Sequence, residues 1–390
     1  MKGLALVVCP GATPSVEMGV RDMYLDESID LPDIRTVEDL ISWLQDHGIS
    51  YEVLGKNFAG QPIIVVKKEG SGGEPLVITA GAHTSEPAGV LATLLLLRDI
   101  DIDNPLYVVP LRDPFGWQGY ELCLEYALGE AVTLTDHMSL EDLLLDRGEE
   151  ILLKEPGFVL ARIKDIVFAS LVPPGRPTGP REVEQRVNQA LRDHSELMSS
   201  LVGSRVVFPG NAGDSEGVWD FYRAFSAVIS DDGIVADMNR QFGGVNEPPE
   251  VSMLRQLVDD VQPGMVLDIH EGQGSTFYLF VPGYYQSEET QHYTKLIWDT
   301  MVAEGVKMFT VSDLAKALGP QTVKDLDEPL PGVLVGKIEG NRRAGTSFAG
   351  YCRRFGPSIT FETGRWAPLA QRVGLHLLAA KTLIEAYTGK

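Results

Sequence analysis

The sequence contains little cysteine. Its 390 residues include three, Cys9, Cys123 and Cys352, which lie far apart along the chain. An odd number of isolated cysteines composes neither a disulfide framework nor a cysteine-based zinc cluster. We therefore interpret them as reduced thiols and expect a cytoplasmic protein.

Basic residues are also scarce. Lys and Arg number 33 against 55 Asp and Glu, which makes the formal net charge −22. Nucleic acids and anionic membrane surfaces both bind proteins through a cationic face. The charge balance therefore argues against either kind of partner, although it says little about the fold.

Long hydrophobic runs are absent as well. No run in the sequence approaches the roughly 20 apolar residues that a membrane span requires. The apolar stretch within residues 1–10 is also too short for a secretory signal. We expect a soluble chain, and its hydrophobic content of 44% is ample for a large core.

The most informative stretch that is present covers residues 76–89. An apolar, β-branched run leads to His83, Glu86 follows three residues later, and Pro87 opens an aliphatic segment. Proline suits a first helical turn because its missing N–H would have no intrahelical partner there. The pattern predicts a strand that ends at His83 and a helix that begins at Glu86, at the sheet edge where α/β proteins bind ligands.

Two further strands are predicted to end in side chains of the same kind. Residues 265–270 lead to His270, and residues 358–362 lead to Glu362. A His-x-x-Glu motif alone is weak, because either residue could be a hydrogen-bonded structural group. Together, however, the three strand ends and Glu86 offer zinc three protein ligands and leave a carboxylate as proton acceptor. The sequence therefore predicts a Zn²⁺ site.

The order and spacing of these motifs resemble those of the zinc carboxypeptidase family (carboxypeptidase A-like metallopeptidases), with the succinylglutamate desuccinylase and aspartoacylase branch as close kin. The resemblance rests on residues 54–63, 83–86, 108–116 and 237–240 and on the strand ends at His270 and Glu362. It implies an α/β fold, a mixed, mostly parallel sheet flanked by helices, in a single catalytic domain with its core at residues 36–119 and 233–390. It also implies zinc-dependent hydrolysis of an amide bond next to a free carboxylate.

The resemblance assigns the metal site residue by residue. It implies that His83, Glu86 and His270 hold the zinc ion. Asp237 matches the residue that accepts a hydrogen bond from the first ligand histidine and so fixes its tautomer. Glu362 matches the base that takes the proton of the attacking water and passes it to the departing amine.

The resemblance also assigns substrate contacts. Asn239 and Arg240 match the pair that holds the substrate's terminal carboxylate, for which a planar guanidinium is well suited. Arg223 lies near the position of the arginine that stabilises the oxyanion. The structural alternative for either arginine is a surface ion pair.

Residues 120–232 fall largely outside the resemblance. Amphipathic patterns predict helices at residues 140–153, 158–168 and 182–201, with a Pro- and Gly-rich break at 173–180. We interpret the segment as a largely helical insertion. It could cap the active site, or it could serve stability or oligomer formation.

Four arginines crowd the stretch before Glu362 in this otherwise acidic chain: Arg342, Arg343, Arg353 and Arg354. Such a local reversal of charge would attract an anionic substrate, unless the arginines pair with the acidic insertion. Three functions follow: a carboxypeptidase acting on peptides, a deacylase of small, anionic N-acyl amino acids, or a non-catalytic binding protein on the same fold. The sequence leaves the identity of the metal open, and a homo-oligomer is compatible with it.

Overall fold

The computed structural model describes residues 29–171, 180–209, 223–244, 246–336 and 346–389. Within them, nine strands form a central sheet: β1 (Glu52–Lys56), β2 (Pro62–Lys68), β3 (Leu76–Ala80), β4 (Leu106–Val109), β11 (Met265–Gly272), β12 (Phe277–Phe280), β13 (Leu326–Leu330), β14 (Val333–Gly336) and β15 (Ser358–Gly364). Their spatial order is β1-β2-β4-β3-β11-β15-β12-β14-β13.

The central sheet is mixed, as the resemblance implies, but it is not mostly parallel, because only four of the eight neighbouring pairs among its described strands are parallel. Strands β4, β3, β11 and β15 are parallel to one another at its centre. The pairs β1/β2, β2/β4, β12/β15 and β13/β14 are antiparallel, and β12 and β14 are parallel. The parallel centre matters for the site, because it brings the carboxyl ends of β3, β11 and β15 to one edge.

Helices cover both faces of the central sheet. The larger ones are α1 (Val37–Asp46), α2 (Pro87–Asp99), α8 (Pro249–Val261), α9 (Glu288–Ala303) and α13 (Leu369–Thr388), and the shorter ones are α3 (Pro114–Trp117), α10 (Val311–Leu318), α11 (Pro320–Val323) and α12 (Phe348–Cys352). Alternate residues of each strand point to opposite faces. Leu76 and Ile78 accordingly pack in the core with α1, α2 and α13, whereas Val77 packs in the core with α8 and α12.

Helix α1 shows how local sequence sets an element boundary. Thr36 and Asp39 form the predicted capping box, in which the Thr36 side chain accepts from the Asp39 backbone and the Asp39 carboxylate accepts from the Thr36 backbone. Val37, Leu40 and Leu44 are buried along one face. This spacing is the helical periodicity from which the helix is predicted.

Residues 120–237 form a second α/β layer. Its helices are α4 (Tyr120–Leu128), α5 (His137–Arg147), α6 (Pro180–Asp193) and α7 (Ser195–Leu201), and its strands are β5 (Glu150–Glu155), β6 (Phe158–Ile163), β7 (Ile166–Leu171), β8 (Arg205–Pro209), β9 (Ala224–Ile229) and β10 (Val235–Asp237). These six strands form one sheet in the order β10-β9-β8-β7-β6-β5. Strands β7 and β8 are parallel, and the other neighbours are antiparallel.

The prediction of a largely helical insertion is therefore wrong in part. Residues 158–168, predicted as a helix, form the hairpin β6–β7 instead. The helix predicted at 140–153 is present as α5 up to Arg147, and its remaining part forms β5. The run Phe158–Ala161 is buried throughout, and a short apolar run does not distinguish a buried strand from a buried helix by periodicity. The hairpin turns at Lys164, whose φ of 53° fits a tight two-residue connection. The helix predicted at 182–201 is present as α6 and α7.

Three further expectations concern composition. Cys123 and Cys352 are free and buried, whereas Cys9 lies outside the described residues, as does most of the break predicted at 173–180. Among the helices of the described ranges, none combines the length and the apolar character needed to cross a membrane.

Candidate metal centre

The turn after β3 presents the first candidate ligands. Gly81 has a φ of +66°, and a Cβ there would lie 3.1 Å from Leu111 Cα, so the close approach of the two chain segments requires glycine. His83 lies in this turn, and Glu86 is the N-cap residue of α2, with Pro87 in the first turn as predicted. The local sequence therefore delivers an imidazole and a carboxylate to the same sheet edge.

Neighbouring strands bring the other two groups to that edge. Strand β11 is parallel to β3 and β15 and lies between them, and His270 is in register with Glu362. Side chains at even-numbered positions of β11 and β15 lie on the face of the sheet that α8 and α12 cover, since Val266 belongs to that core and Ile359 and Phe361 belong to the other. His270 and Glu362 consequently lie on one face, side by side.

The carboxylate of Glu86 lies between two imidazole rings. Glu86 Oε1 is 2.9 Å from His83 Nδ1, and Glu86 Oε2 is 2.9 Å from His270 Nδ1. One ligand atom from each of the three residues can be chosen so that all lie within 4.8 Å of one another. Two imidazole nitrogens and a carboxylate oxygen are ligands that zinc accepts, so the residues present fit such an ion.

A second carboxylate holds the far side of each imidazole. His83 Nε2 is 3.2 Å from Asp237 Oδ1, and His270 Nε2 is 3.0 Å from Asp268 Oδ2. Metal-binding histidines usually pair their other nitrogen with such an acceptor, which fixes the tautomer and the ring orientation. Asp237 was predicted for this place from the sequence, whereas Asp268 was not. Its position two residues before His270, on the same strand face, is the signal that would have identified it.

The electrostatics of the site favour positive charge. Burial by itself would lower the pKa of His83, but Glu86 and then Asp237 raise it to about 9. Burial would likewise raise the pKa of Asp237, yet Arg240 and His83 hold that pKa below its usual range. Buried carboxylates that stay ionised on both sides of an imidazole stabilise a proton or a metal ion between them.

Asp268 also belongs to a buried network that includes Arg112. Asp268 Oδ1 accepts from Thr79 Oγ1 at 2.8 Å and from Arg112 Nη1 at 2.9 Å. The Arg112 guanidinium lies 5.2 Å from the ring centre of Phe242 and 5.0 Å from that of Phe348. This network fixes Asp268 and, through it, the ring of His270.

Asn239 is part of the same network. Its Oδ1 accepts from Arg112 Nη2 at 3.1 Å and from the Phe348 backbone at 2.8 Å, and its amide nitrogen lies 3.1 Å from His270 Nε2. Asn239 also lines the cavity described below. The structure thus brings Asn239 to the site, with its side-chain oxygen already engaged by protein donors.

A cavity of about 520 Å³ opens beside the candidate ligands. His83, His270, Asn239, Arg240 and Glu362 line it at the metal centre. Its remaining walls are aromatic, aliphatic or small, with one further arginine: Phe242, Gly243, Phe280, Val281, Pro282, Gly283, Leu326, Leu334, Gly336, Thr346, Ser347, Gly350, Tyr351, Arg353 and Thr360. Burial raises the pKa of Glu362 to about 8, and Glu86 adds to this effect.

The arginines predicted to contact an anionic substrate lie in different places. Arg240 is exposed, lines the cavity and donates to the Asn239 carbonyl at 2.8 Å. Arg353 lines the cavity as well, whereas Arg354 pairs with Asp259 and lies 3.8 Å from the Tyr351 ring centre. Arg342 and Arg343 lie outside the described residues.

Arg223 lies apart from the cavity. Its guanidinium donates to the carbonyls of Trp117 at 2.7 Å and Ile34 at 3.2 Å, and it lies 3.7 Å from the centre of the Trp117 ring. It is not among the described residues that line the cavity. The oxyanion role expected for Arg223 therefore does not agree with the place of its side chain.

The second sheet takes part in the site. Asp237 is the last residue of β10, and Phe225 of β9 stacks on the His83 ring with centroids 5.7 Å apart. Phe208 of β8 stacks in turn on Phe225 at 5.1 Å, and the Thr84 hydroxyl donates to the Ala224 carbonyl. The second layer thus packs directly against a candidate ligand.

The chain was compared with protein-family models, curated protein sequences and solved structures, and only the solved structures include matches. No protein-family model and no curated protein sequence matches the chain. Among solved structures, it is similar to a candidate metallopeptidase from Shewanella amazonensis, with 16% identity, 91% of this chain and 94% of the other covered, and a TM-score of 0.45. It is similar to bovine thrombin-activatable fibrinolysis inhibitor, solved in complex with a tick carboxypeptidase inhibitor (10% identity, 92% and 98% covered, TM-score 0.47). It is also similar to carboxypeptidase A from Helicoverpa armigera (11% identity, 92% and 74% covered, TM-score 0.44).

Proposed function

We propose that this protein is a metal-dependent hydrolase of the carboxypeptidase type, which cleaves an amide bond next to a free carboxylate. One observation carries the proposal: His83, Glu86 and His270 converge beside the partly buried Glu362, at a cavity that Arg240 also lines. A metal site, a proton acceptor and a cation for a carboxylate are the three parts that such a reaction needs.

The metal would be held by the two imidazoles and the Glu86 carboxylate. Bound zinc would polarise the scissile carbonyl and lower the pKa of a water molecule to about 7. Asp237 and Asp268 would keep each ring in the tautomer that leaves Nδ1 available. Other borderline divalent ions accept the same ligands, so the physiological metal is decided by measurement.

Glu362 would move the proton. Its partly buried carboxyl lines the cavity, and burial raises its pKa to about 8 in the metal-free site. A divalent cation bound beside it would lower that pKa, so that the carboxylate can accept a proton at neutral pH. We assign it to take a proton from the attacking water and to deliver that proton to the amine nitrogen as the C–N bond breaks. The sequence resemblance implies the same role.

The cavity walls suggest which substrates fit. Arg240 presents an exposed guanidinium for the terminal carboxylate, and Phe242, Phe280 and Leu334 offer apolar surface to the residue that carries it. Apart from Glu362, the described residues that line the cavity include no acidic side chain, and Arg353 adds a cation. A terminal residue with an apolar or acidic side chain suits these walls better than lysine or arginine.

A deacylase of N-acyl amino acids is the main alternative, and the presence of Arg240 and Arg353 around one cavity favours a small anionic substrate. The two functions differ in the acyl side of the scissile amide. In a peptidase substrate it is the rest of a peptide, whereas in a deacylase substrate it is a simple acyl group such as acetyl or succinyl. A non-catalytic binding protein is the remaining alternative. The placement of Glu362 beside the ligands speaks against it.

Two substrate panels test the proposal. Purified protein is analysed for bound metals, then assayed on N-benzoylglycyl peptides with varied terminal residues and on N-acetyl and N-succinyl amino acids. Activity should vanish after chelation and return with zinc. Hydrolysis that survives complete metal removal would refute the metal-dependent mechanism, and faster cleavage of peptides ending in Lys than in Glu or Phe would refute the assigned pocket chemistry.

A further inference from the structure

Helix α2 begins without a side-chain cap of its own. An N-cap side chain usually accepts a hydrogen bond from a backbone N–H of the first helical turn. Glu86 occupies the N-cap position, but its side chain makes no such bond, because its two oxygens face His83 Nδ1 and His270 Nδ1. The start of α2 is buried, so its backbone N–H groups need an acceptor from elsewhere in the protein.

Glu271 of β11 supplies this acceptor. Its Oε1 accepts from the Ala88 backbone N–H at 2.5 Å, and Pro87, the residue before Ala88, has no N–H to satisfy. Glu271 follows His270 in the chain, but successive residues of a strand point to opposite faces of the sheet. Its carboxylate therefore lies on the face that α2 covers, where the partial positive charge of a helix N-terminus stabilises it.

Arg372 of α13 holds the Glu271 carboxylate in its orientation. Arg372 Nη1 donates to Glu271 Oε2, and both side chains are fully buried. One carboxylate oxygen thus binds the guanidinium and the other binds the Ala88 backbone. The carboxylate cannot turn away from Ala88 without leaving a buried charge unpaired, which is costly.

The start of α2 also lies very close to β11. A Cβ at Gly89 would be 3.0 Å from the Ile269 carbonyl oxygen and 3.1 Å from Ile269 Cγ2, and the absence of a side chain permits this approach. The first turn of α2 is therefore attached to β11 twice, by packing at Gly89 and by the hydrogen bond at Ala88. Because β11 carries His270 and α2 begins at Glu86, these contacts set where the two candidate ligands lie relative to each other.

Building on the metal site of the proposed function, we propose that Glu271 is a positioning residue for the metal ion, because it holds the first turn of α2, and with it Glu86, in place beside His270. Glu271 is not among the described residues that line the cavity. It acts through the Ala88 backbone, from the opposite face of the sheet. A metal ligand that is already held in place loses less conformational freedom when the ion binds, and this raises the affinity.

A purely structural ion pair would have a different signature. In Arg372→Met, the carboxyl group of Glu271 can still accept from Ala88, but a buried acid without its cation costs much stability. In Glu271→Met/Arg372→Met, the acceptor is lost, whereas stability should largely return, because apolar residues of similar volume often replace a buried ion pair without loss. The two variants therefore change stability and metal affinity in opposite directions if Glu271 positions Glu86.

The experiment compares these two variants with wild type and with the control Leu97→Ala, which removes a buried core side chain at the other end of α2. Zinc affinity is measured by chelator competition, and the urea midpoint of the metal-free protein reports stability. Hydrogen exchange of the metal-free protein, followed by mass spectrometry, reports local opening of residues 83–90. If Arg372→Met does not fold, Glu271→Gln/Arg372→Met takes its place, because the glutamine keeps an acceptor oxygen.

For Arg372→Met we expect the lowest urea midpoint of the two ion-pair variants and a zinc affinity within about threefold of wild type. Glu271→Met/Arg372→Met should recover most of the midpoint and yet bind zinc about 10–100-fold more weakly, the usual effect of losing a group that orients a metal ligand. In this double variant, residues 83–90 should also exchange about 10–100-fold faster than in wild type, because a hydrogen bond to a charged group is lost. Leu97→Ala should lower the midpoint and leave zinc affinity unchanged.

Zinc affinity that follows the urea midpoint across the variants would overturn the assignment, as would a double variant that binds zinc within about threefold of wild type. A wild-type protein that binds no zinc would count against the proposed function instead. Hydrogen exchange of the metal-free proteins would then still decide the role of Glu271, since equal exchange of residues 83–90 in wild type and the double variant would refute it.

Discussion

Replacing Asp268 with asparagine should weaken metal binding and stability together, because the two oxygens of this carboxylate serve different partners. Oδ2 faces His270 Nε2 at 3.0 Å, whereas Oδ1 accepts from Thr79 and pairs with Arg112 at 2.9 Å. The side chain of Asp268 is fully buried, and that of Arg112 is 4% exposed. Asparagine keeps the shape and removes the charge.

The magnitudes follow from the contacts. Loss of the acceptor on a ligand histidine typically lowers metal affinity by about 10–100-fold, so zinc binding to Asp268→Asn should weaken by that factor. Breaking a buried ion pair on one side costs about 3–5 kcal/mol of stability, because the remaining charge is left without its partner. We expect a loss of this order in the free energy of unfolding of the metal-free protein.

Chelator competition and urea unfolding measure the two effects separately. Thr79→Val is the matched control, since it removes one hydrogen bond to Oδ1 and leaves Oδ2 in place. It should cost about 1 kcal/mol and leave zinc affinity nearly unchanged. Asp99→Asn, which breaks an exposed pair with Arg98, should change stability by about 0–1 kcal/mol. If Asp268→Asn retained zinc affinity within about twofold, the reasoning that links Asp268 to the metal through His270 would be wrong.

Four further predictions concern the site and the core. Glu362→Gln should bind zinc as wild type does and lose about 10²–10⁴-fold in kcat, measured beside its metal content; turnover near the wild-type rate would exclude it as the base. Arg240→Gln should raise KM for peptides with a free terminal carboxylate and leave amidated peptides unaffected, which a panel of both substrates checks. His83 must be neutral to bind a metal, and Glu86 and Asp237 raise its pKa to about 9. Apparent zinc affinity should therefore fall as pH decreases below about 9, by about tenfold per pH unit for one displaced proton. An affinity that does not change with pH would contradict this. Arg372→Met breaks a fully buried pair with Glu271 and should cost about 3–5 kcal/mol in urea unfolding.

The convergence of the candidate ligands could be predicted from the sequence because local patterns specify where each of them lies. An apolar run that ends in histidine, followed by Glu86 and Pro87, encodes a strand, a turn and a helix start over a few residues. Parallel strands then place such ends at one edge by a general rule of α/β sheets. His83, Glu86 and His270 accordingly lie together in the structure.

The interior of the insertion could not be predicted in the same way. The run Phe158–Ala161 is buried on both faces of its sheet, and this removes the alternation that distinguishes a strand from a helix. The hairpin partner β7 and the neighbouring β8 decide that the segment is extended. That information lies in pairing across the sheet and not in the run itself.

The sequence by itself determined the strands that lead to the candidate ligands, to within three residues at their ends, and the helix starts at Thr36 and Glu86. Each of these depends on residues close together in the chain. Only the tertiary structure decided which charged side chains support them. Asp268 meets Arg112 across 156 positions of sequence, Arg223 is directed to Trp117, and Arg365 reaches Glu86 from a different strand end. A guanidinium can pair with any carboxylate or carbonyl that the fold brings near, so its partner depends on packing between distant segments.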